Sequence, residues 1–179
     1  MNDHEAIELL GAAIPLARGE VWADLGAGTG VFTRALSEVV GTGGRVIAVD
    51  RDAGALRAIR TWAARLYDGP EVDVVEADVA RGLSLPRLHG VVMANVLHFI
   101  PDAAAVLSSV VQRLNPGGRV VVIEYEGRRP SRWVPYPVSA ARLEELAADA
   151  GLAPPRVVAT RPSAYGGDLY VAVTSRMET

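Results

Sequence analysis

A glycine-rich turn between a β-prone run and an amphipathic helix constrains the fold of this chain most strongly. The run at 20–25 leads into the sequence DLGAGTG at 24–30, and apolar residues then recur at helical spacing across Val31–Val40. Three glycines in this segment permit positive φ angles and a close approach of the backbone to another group. Strand, glycine turn and helix in this order predict the first unit of an α/β fold.

The same alternation continues along the chain. Further β-prone runs lie at 45–49, 72–76, 90–94 and 119–124, and helical patterns lie at 52–67, 101–114 and 139–150. Parallel strands need crossover connections, which are usually helical, so the alternation predicts a mostly parallel sheet with helices on both faces. The last two β-prone runs, 156–160 and 168–174, are joined by a segment too short for such a crossover, which predicts an antiparallel pair. We therefore predict a Rossmann-like, doubly wound α/β domain with seven strands, the last of them antiparallel.

Length and patterning predict one domain over residues 1–179. Two domains in 179 residues would each lie near the lower size limit. Apolar residues at Ile7, Leu10, Ile14 and Ala17 predict a short leading helix over 4–17, and NPGG at 115–118 predicts a turn. No apolar run approaches the roughly 20 residues of a membrane span, and the acidic amino terminus differs from a secretory signal. We expect a cytoplasmic chain without a membrane span, and a monomer or homodimer.

Composition excludes several classes of site. The chain has no cysteine, and all 18 of its basic residues are arginine. These absences exclude thiolate catalysis and zinc–thiolate sites, as well as P-loop, Schiff-base and pyridoxal phosphate lysines. We expect no metal site. The net charge of −3 makes a broad cationic face for nucleic acid unexpected, although Arg128, Arg129 and Arg132 form a local cluster.

The glycine loop follows the first strand, and open α/β sheets bind ligands beyond the carboxyl ends of their strands. A dinucleotide fingerprint, GxGxxG, would place its third glycine at Val31. Asp24, two positions before the first glycine, would repel a pyrophosphate. S-adenosylmethionine (SAM) has no phosphate, and its sulfonium and ammonium groups favour nearby negative charge. Electrostatics therefore favour SAM over a nicotinamide cofactor.

Five segments in order resemble the class I SAM-dependent methyltransferases, in particular the small-molecule enzymes of the ubiquinone/menaquinone-biosynthesis type. The segments are WADLGAGTGVFT, VIAVDRD, VEADV, VVMANVLHFIPD and LNPGGRVVVIEYE. The resemblance implies that SAM binds to Asp24, Gly26, Ala27, Gly28, Thr29, Gly30, Asp50, Arg51, Asp78, Val79 and Asn95. Asp50, which closes the second strand 20 residues after Gly30, would accept the ribose hydroxyls, and Asp78 would accept the adenine amine. Helix capping for Asp24 and Asp50, and a solvated turn carboxylate for Asp78, remain alternatives.

Residues after the fourth and fifth strands are the candidates for methyl transfer. The resemblance places Asn95 near the methionine half of SAM or the reacting centre, and His98 is a candidate base or substrate-orienting residue. A histidine packed in the loop and hydrogen-bonded to backbone is the alternative for His98. Candidates for an acceptor pocket are Glu124, Tyr125, Trp133 and Tyr136, which could instead cover the sheet edge.

Asn95 is followed by Val96 and Leu97 rather than by the Pro-Pro-aromatic run of enzymes that methylate adenine or glutamine amino groups. The resemblance therefore implies a SAM-dependent methyltransferase with a small-molecule acceptor. From the short segment before the first strand we expect an open site. For this reason a methyltransferase acting on RNA or protein, or a SAM-binding protein without catalysis, remains an alternative.

Overall fold

The computed structural model describes residues 1–14, 17–164 and 166–177. In this part of the chain there are five α-helices and seven strands. The helices are α1 (Asp3–Ala13), α2 (Val31–Val40), α3 (Ala53–Ala63), α4 (Ala103–Arg113) and α5 (Ala140–Asp149). The strands are β1 (Val21–Leu25), β2 (Arg45–Asp50), β3 (Glu71–Glu76), β4 (Leu88–Ala94), β5 (Leu114–Glu126), β6 (Arg156–Pro162) and β7 (Asp168–Ser175).

The strands form a single sheet in the order β3-β2-β1-β4-β5-β7-β6. The first five strands pair in parallel, and β7 is antiparallel to both β5 and β6. The predicted mostly parallel sheet with an antiparallel last strand is therefore confirmed. Strand order reverses between β1 and β4, which opens a crevice at the carboxyl ends of these two strands.

Helices cover both faces of the sheet, as predicted. Successive strand side chains point to opposite faces, so Trp22 of β1 packs with α1 and α2 while its neighbour Ala23 packs with α4 and α5. Helix α3 packs on Ala48 of β2. Ala48 and Val46 point to the same face of the sheet, which is the face that α2 covers. None of the helices in the described part of the chain has the length and apolar character that crossing a bilayer requires.

The leading helix is shorter than the predicted 4–17. Asn2 caps it by accepting from the Glu5 backbone N–H at 2.9 Å, and the helix ends at Ala13. Ile14 is extended, with φ of −124°, because the residue before a proline is disfavoured in helical conformation. Ala17 is buried but lies outside the helix, and positions 15 and 16 lie outside the described residues.

The boundaries of two further elements also differ from the prediction. The helix predicted over 52–67 ends at Ala63, and Asp52 caps its start by accepting from the Gly54 backbone N–H at 2.7 Å. The fifth strand starts at Leu114, before the predicted NPGG turn. Leu88 pairs with Leu114 and Gly90 pairs with Arg119, so residues 115–118 bulge out of the ladder.

Candidate functional site

The glycine loop crosses the crevice with its backbone tied to β2. The backbone N–H groups of Gly26 and Ala27 both donate to the Val49 carbonyl, at 2.8 and 2.9 Å. Gly26 has a φ of +78°, and a Cβ added there would lie 2.3 Å from Cγ2 of Val96, in the segment after β4. The loop therefore passes between β2 and this segment at a distance that only glycine allows.

Asp24 lies in the interior and holds the start of α2. Gly30, the N-terminal flanking residue of this helix, makes no side-chain cap. Asp24 holds the first turn instead, because its Oδ2 accepts from the Thr33 hydroxyl at 2.6 Å. Burial raises the pKa of Asp24 to about 7, against the opposing effect of the Thr33 hydroxyl. This arrangement corresponds to the capping alternative for Asp24.

Asp50 connects the end of β2 to the glycine loop. Its Oδ2 accepts from the Gly28 backbone N–H at 2.7 Å, and its Oδ1 accepts from the Asp52 backbone N–H at 2.8 Å. The side chain that caps α3 is that of Asp52, so Asp50 is not the helix cap considered as its alternative. Asp50 is half-buried at the wall of a cavity.

This cavity has a volume of about 380 Å³ and lies at the carboxyl ends of β1, β2 and β4. Six residues predicted to bind the cofactor line it, namely Gly26, Asp50, Arg51, Asp78, Val79 and Asn95. Of the other five predicted residues, Ala27, Gly28, Thr29 and Gly30 belong to the adjoining loop, and Asp24 is buried and does not line the cavity. Phe99, Ile100 and Pro101 also line the cavity. Sequence reasoning missed these three, although they lie in the segment quoted after the fourth strand.

Asp78 combines a turn role with a place on the cavity wall. Its Oδ1 accepts from the Ala80 backbone N–H at 3.0 Å, which starts a short 3₁₀ turn at Val79–Arg81. Its Oδ2 lies 3.5 Å from Arg81 Nε. Because a carboxylate offers about four acceptor positions, Asp78 keeps capacity for a ligand donor.

Asn95 carries a buried acceptor that the protein does not satisfy. Its Oδ1 has no hydrogen-bond partner among the described residues, and the backbone is left-handed, with a φ of 57°. A buried unpaired polar group costs about 1–3 kcal/mol. Asn95 lines the cavity together with Asp50 and Asp78, and all three side chains carry acceptors, which fits the amine, hydroxyl and ammonium donors of SAM.

His98 pairs with Glu124 in the interior. His98 Nδ1 lies 2.6 Å from Glu124 Oε2, and the His98 backbone N–H donates to Oε1 at 3.3 Å. His98 is 2% exposed and Glu124 is fully buried. The histidine is therefore packed, as its alternative proposed, but its partner is a carboxylate rather than backbone. Glu124 lies inside the protein rather than on an open pocket wall.

The other predicted acceptor-pocket residues lie on the loop 127–138 or at its start. Trp133 and Tyr136 are exposed, and Arg132 stacks on the Trp133 ring at 4.3 Å. The Tyr136 backbone N–H donates to the His98 carbonyl at 2.9 Å, which ties the loop to the His98 segment. The Tyr125 ring lies 5.7 Å from the His98 ring. The structure therefore places Tyr125 and Tyr136 beside the His98 segment, leaves Trp133 exposed on the loop, and buries Glu124.

A larger open groove, of about 930 Å³, lies at the opposite end of the sheet, between α1 and the bulge at 115–118. It contains none of the predicted site residues. Ligands of open α/β sheets bind at the carboxyl ends of the strands, so the smaller cavity is the candidate site.

The sequence matches the methyltransferase domain family over residues 23–118. It is 34% identical over 122 residues to the ubiquinone/menaquinone biosynthesis C-methyltransferase UbiE of Pseudomonas savastanoi pv. phaseolicola, covering 67% of this chain and 46% of that protein. The UbiE protein of Pasteurella multocida is 34% identical over 110 residues, 60% of this chain and 41% of that protein. The chain thus spans about half the length of the curated relatives it matches.

Solved structures share the fold. An arsenic(III) SAM methyltransferase from Chlamydomonas reinhardtii superposes with a TM-score of 0.77 at 19% identity, covering 99% of this chain and 73% of that one. The 1,6-didemethyltoxoflavin-N1-methyltransferase of Burkholderia thailandensis was solved with bound 1,6-didemethyltoxoflavin and S-adenosylhomocysteine. It superposes with a TM-score of 0.76 at 25% identity, covering 98% of this chain and 78% of that one. Because the family match spans more than half of the chain, this chain belongs to the class I SAM-dependent methyltransferase family, whose cofactor is SAM, and it is similar to the ubiquinone/menaquinone-biosynthesis type.

Proposed function

We propose that this chain binds SAM in the cavity at the carboxyl ends of β1, β2 and β4 and methylates a small-molecule acceptor. The observation that carries the proposal is the set of acceptors around this cavity, above all the unsatisfied Asn95 Oδ1. A cavity of about 380 Å³ lies within the range of small-ligand sites.

The residues that would hold SAM are those of the loop and the three strand ends. Asp50 would accept the ribose hydroxyls, Asp78 the adenine amine, and Asn95 a donor of the methionine half. The loop backbone from Gly26 to Gly30 would lie against the cofactor. When bound, SAM supplies a methyl group on a positively charged sulfur, so the chain's own task is to position the acceptor and exclude water.

The acceptor side is formed by the rim around His98. Tyr125 and Tyr136 lie beside the His98 segment and Trp133 lies on the same loop as Tyr136, and their rings would suit an apolar or planar molecule. A small-molecule acceptor is supported by the activities for which the relatives are named, which include a C-methyltransferase of ubiquinone/menaquinone biosynthesis and a 1,6-didemethyltoxoflavin-N1-methyltransferase. We include a cytoplasmic location and a monomeric or homodimeric state in this proposal.

Calorimetric titration with SAM and an acceptor screen test the two halves of the proposal. We expect SAM to bind the intact chain and S-adenosylhomocysteine to form with at least one small acceptor. Absence of SAM binding would overturn the cofactor assignment. Binding without turnover, across a screen that includes RNA and protein acceptors, would instead favour the SAM-binding protein without catalysis.

A further inference from the structure

Glu124 is a buried carboxylate near the end of β5, and its partners are few. Within the described part of the chain, no arginine lies within ion-pair distance of it, and the one titratable side chain paired with it is His98. Tyr170, its cross-strand neighbour on β7, donates its hydroxyl to the Val138 carbonyl at 2.9 Å. Burial and the charges of Glu124 and Glu126 raise the pKa of Tyr170, so this phenol stays protonated.

The physical cost of burying Glu124 determines how His98 is protonated. An ionised carboxylate in the interior must be stabilised by donors, and two donors reach it, the backbone N–H and Nδ1 of His98. Nδ1 at 2.6 Å can stabilise the carboxylate only if it carries a proton. In neutral imidazole the other nitrogen is then an acceptor.

The remaining nitrogen, Nε2, has no hydrogen-bond partner among the residues that the structure describes. The His98 ring lies 4.2 Å from the ring of Phe99, which lines the cavity and is 51% exposed. The Tyr136 N–H holds the His98 carbonyl, so the rim loop also fixes the position of this residue. The imidazole is therefore one side chain away from the cavity and restrained on several sides.

We propose that Glu124 is a positioning residue that fixes His98 with Nδ1 protonated and Nε2 as a proton acceptor, and that the methyl acceptor is an O–H or C–H acid that gives its proton to Nε2. This inference rests on the proposed function and names the chemical class of its substrate. Glu124 thus stabilises the imidazolium that forms when Nε2 takes up the proton, as a buried acid does beside a catalytic histidine.

The step balances without a further reactant. The O–H or C–H bond of the acceptor breaks, its proton goes to Nε2, and its electron pair forms the new bond to the methyl carbon. The electron pair of the broken sulfur–methyl bond stays on sulfur, and the proton on Nε2 then leaves to solvent. An aromatic amine is unprotonated at neutral pH, so it already has a free electron pair and would not need this base before the transfer.

The protonation pattern of His98 can be read by ¹⁵N NMR without turnover. The chain has three histidines, so His98→Gln assigns the signal of interest by its absence. We expect the Nδ1–H form in the wild type. In Glu124→Gln the amide can donate to Nδ1, so we expect the proton to move to Nε2, whereas Glu126→Gln, the same change two residues along β5, leaves the signal unchanged. An Nε2–H form in the wild type would overturn the proposal.

Turnover with defined probes tests the acceptor class, using 1,3-cyclohexanedione and phenol as acids and aniline as the amine. We expect methylation of the acid probes and a kcat about 10²- to 10⁴-fold lower in Glu124→Gln, with KM and SAM affinity unchanged. Glu126→Gln should retain the wild-type kcat. Equal loss of SAM affinity and kcat in Glu124→Gln, or methylation of aniline alone, contradicts the proposal. Failure of the wild type to bind SAM overturns the proposed function. The NMR result then still shows whether Glu124 fixes the protonation pattern of His98.

Discussion

The backbone N–H of Gly28 donates a hydrogen bond of 2.7 Å to Asp50 Oδ2, which joins the glycine loop to the end of β2. The second oxygen of Asp50 accepts from the Asp52 backbone. A carboxylate has about four acceptor positions, so both oxygens keep room for a ligand donor. Asp50 therefore both shapes the loop and is available to a cofactor in the cavity.

Substituting Asp50→Ala should weaken SAM binding. Hydrogen bonds to a charged acceptor contribute about 1.5–3 kcal/mol, so we expect the dissociation constant to rise roughly 10- to 150-fold. Calorimetric titration measures this change. Asp68→Ala, which removes an exposed carboxylate bonded to Thr42, is the matched control and should bind SAM as the wild type does. Equal affinities in the two variants would show that Asp50 does not hold the ribose.

Substituting Gly26→Ala should destabilise the fold through a steric clash with Val96. Gly151 has a φ of +76°, close to the +78° of Gly26, but an added Cβ there meets nothing within 4 Å. Gly151→Ala therefore reports the cost of the backbone conformation alone, about 1–2 kcal/mol. We expect Gly26→Ala to lower the free energy of unfolding by about 1–3 kcal/mol more than Gly151→Ala does, because Val96 must move. Urea unfolding of both variants measures the difference, and equal losses would argue against the clash.

The Asp24 carboxyl should make stability depend on pH. Burial raises its pKa from 3.8 to about 7, so the folded chain holds this proton more tightly than the unfolded chain does. The stability that this group contributes is fully present below about pH 4 and is lost as pH rises through 7. Asp24→Asn does not titrate. We therefore expect the wild type to lose stability relative to Asp24→Asn between pH 4 and 8, by at most about 4 kcal/mol.

Urea unfolding of the wild type and Asp24→Asn at four pH values over this range provides the measurement for Asp24. The difference in free energy of unfolding should change steadily up to pH 7 and then level off. A difference that stays constant across the range would mean that Asp24 is ionised throughout.

Substituting Asn95→Gly should separate binding from stability. Glycine accepts the left-handed φ of 57° and removes the buried, unsatisfied Oδ1, so the folded state should be at least as stable as the wild type. SAM loses one hydrogen bond, and we expect roughly tenfold weaker binding. Thermal unfolding and calorimetric titration measure the two effects. A lower melting temperature with unchanged affinity would instead assign Asn95 a structural role.

The cofactor side of the site was predictable because its residues lie at the ends of parallel strands. The carboxyl ends of such strands meet at one edge of the sheet, so Asp50, Asp78 and Asn95 were expected to lie together, and they line one cavity. Local spacing was enough for this inference. The length of α1 was not predicted correctly, because the helical pattern continued to Ala17 while the conformation of Ile14 ends the helix.

The sequence by itself determined the alternation of strands and helices, the glycine loop and the strand-end acceptors, since each depends on residues close together in the chain. Only the tertiary structure decided which buried groups meet. Glu124 and His98 are 26 positions apart, and their contact depends on the pairing of β4 with β5, where Ala94 lies opposite Ile123. Strand order and register arise from packing of the whole sheet, so the spacing of residues in the chain does not reveal such a pair.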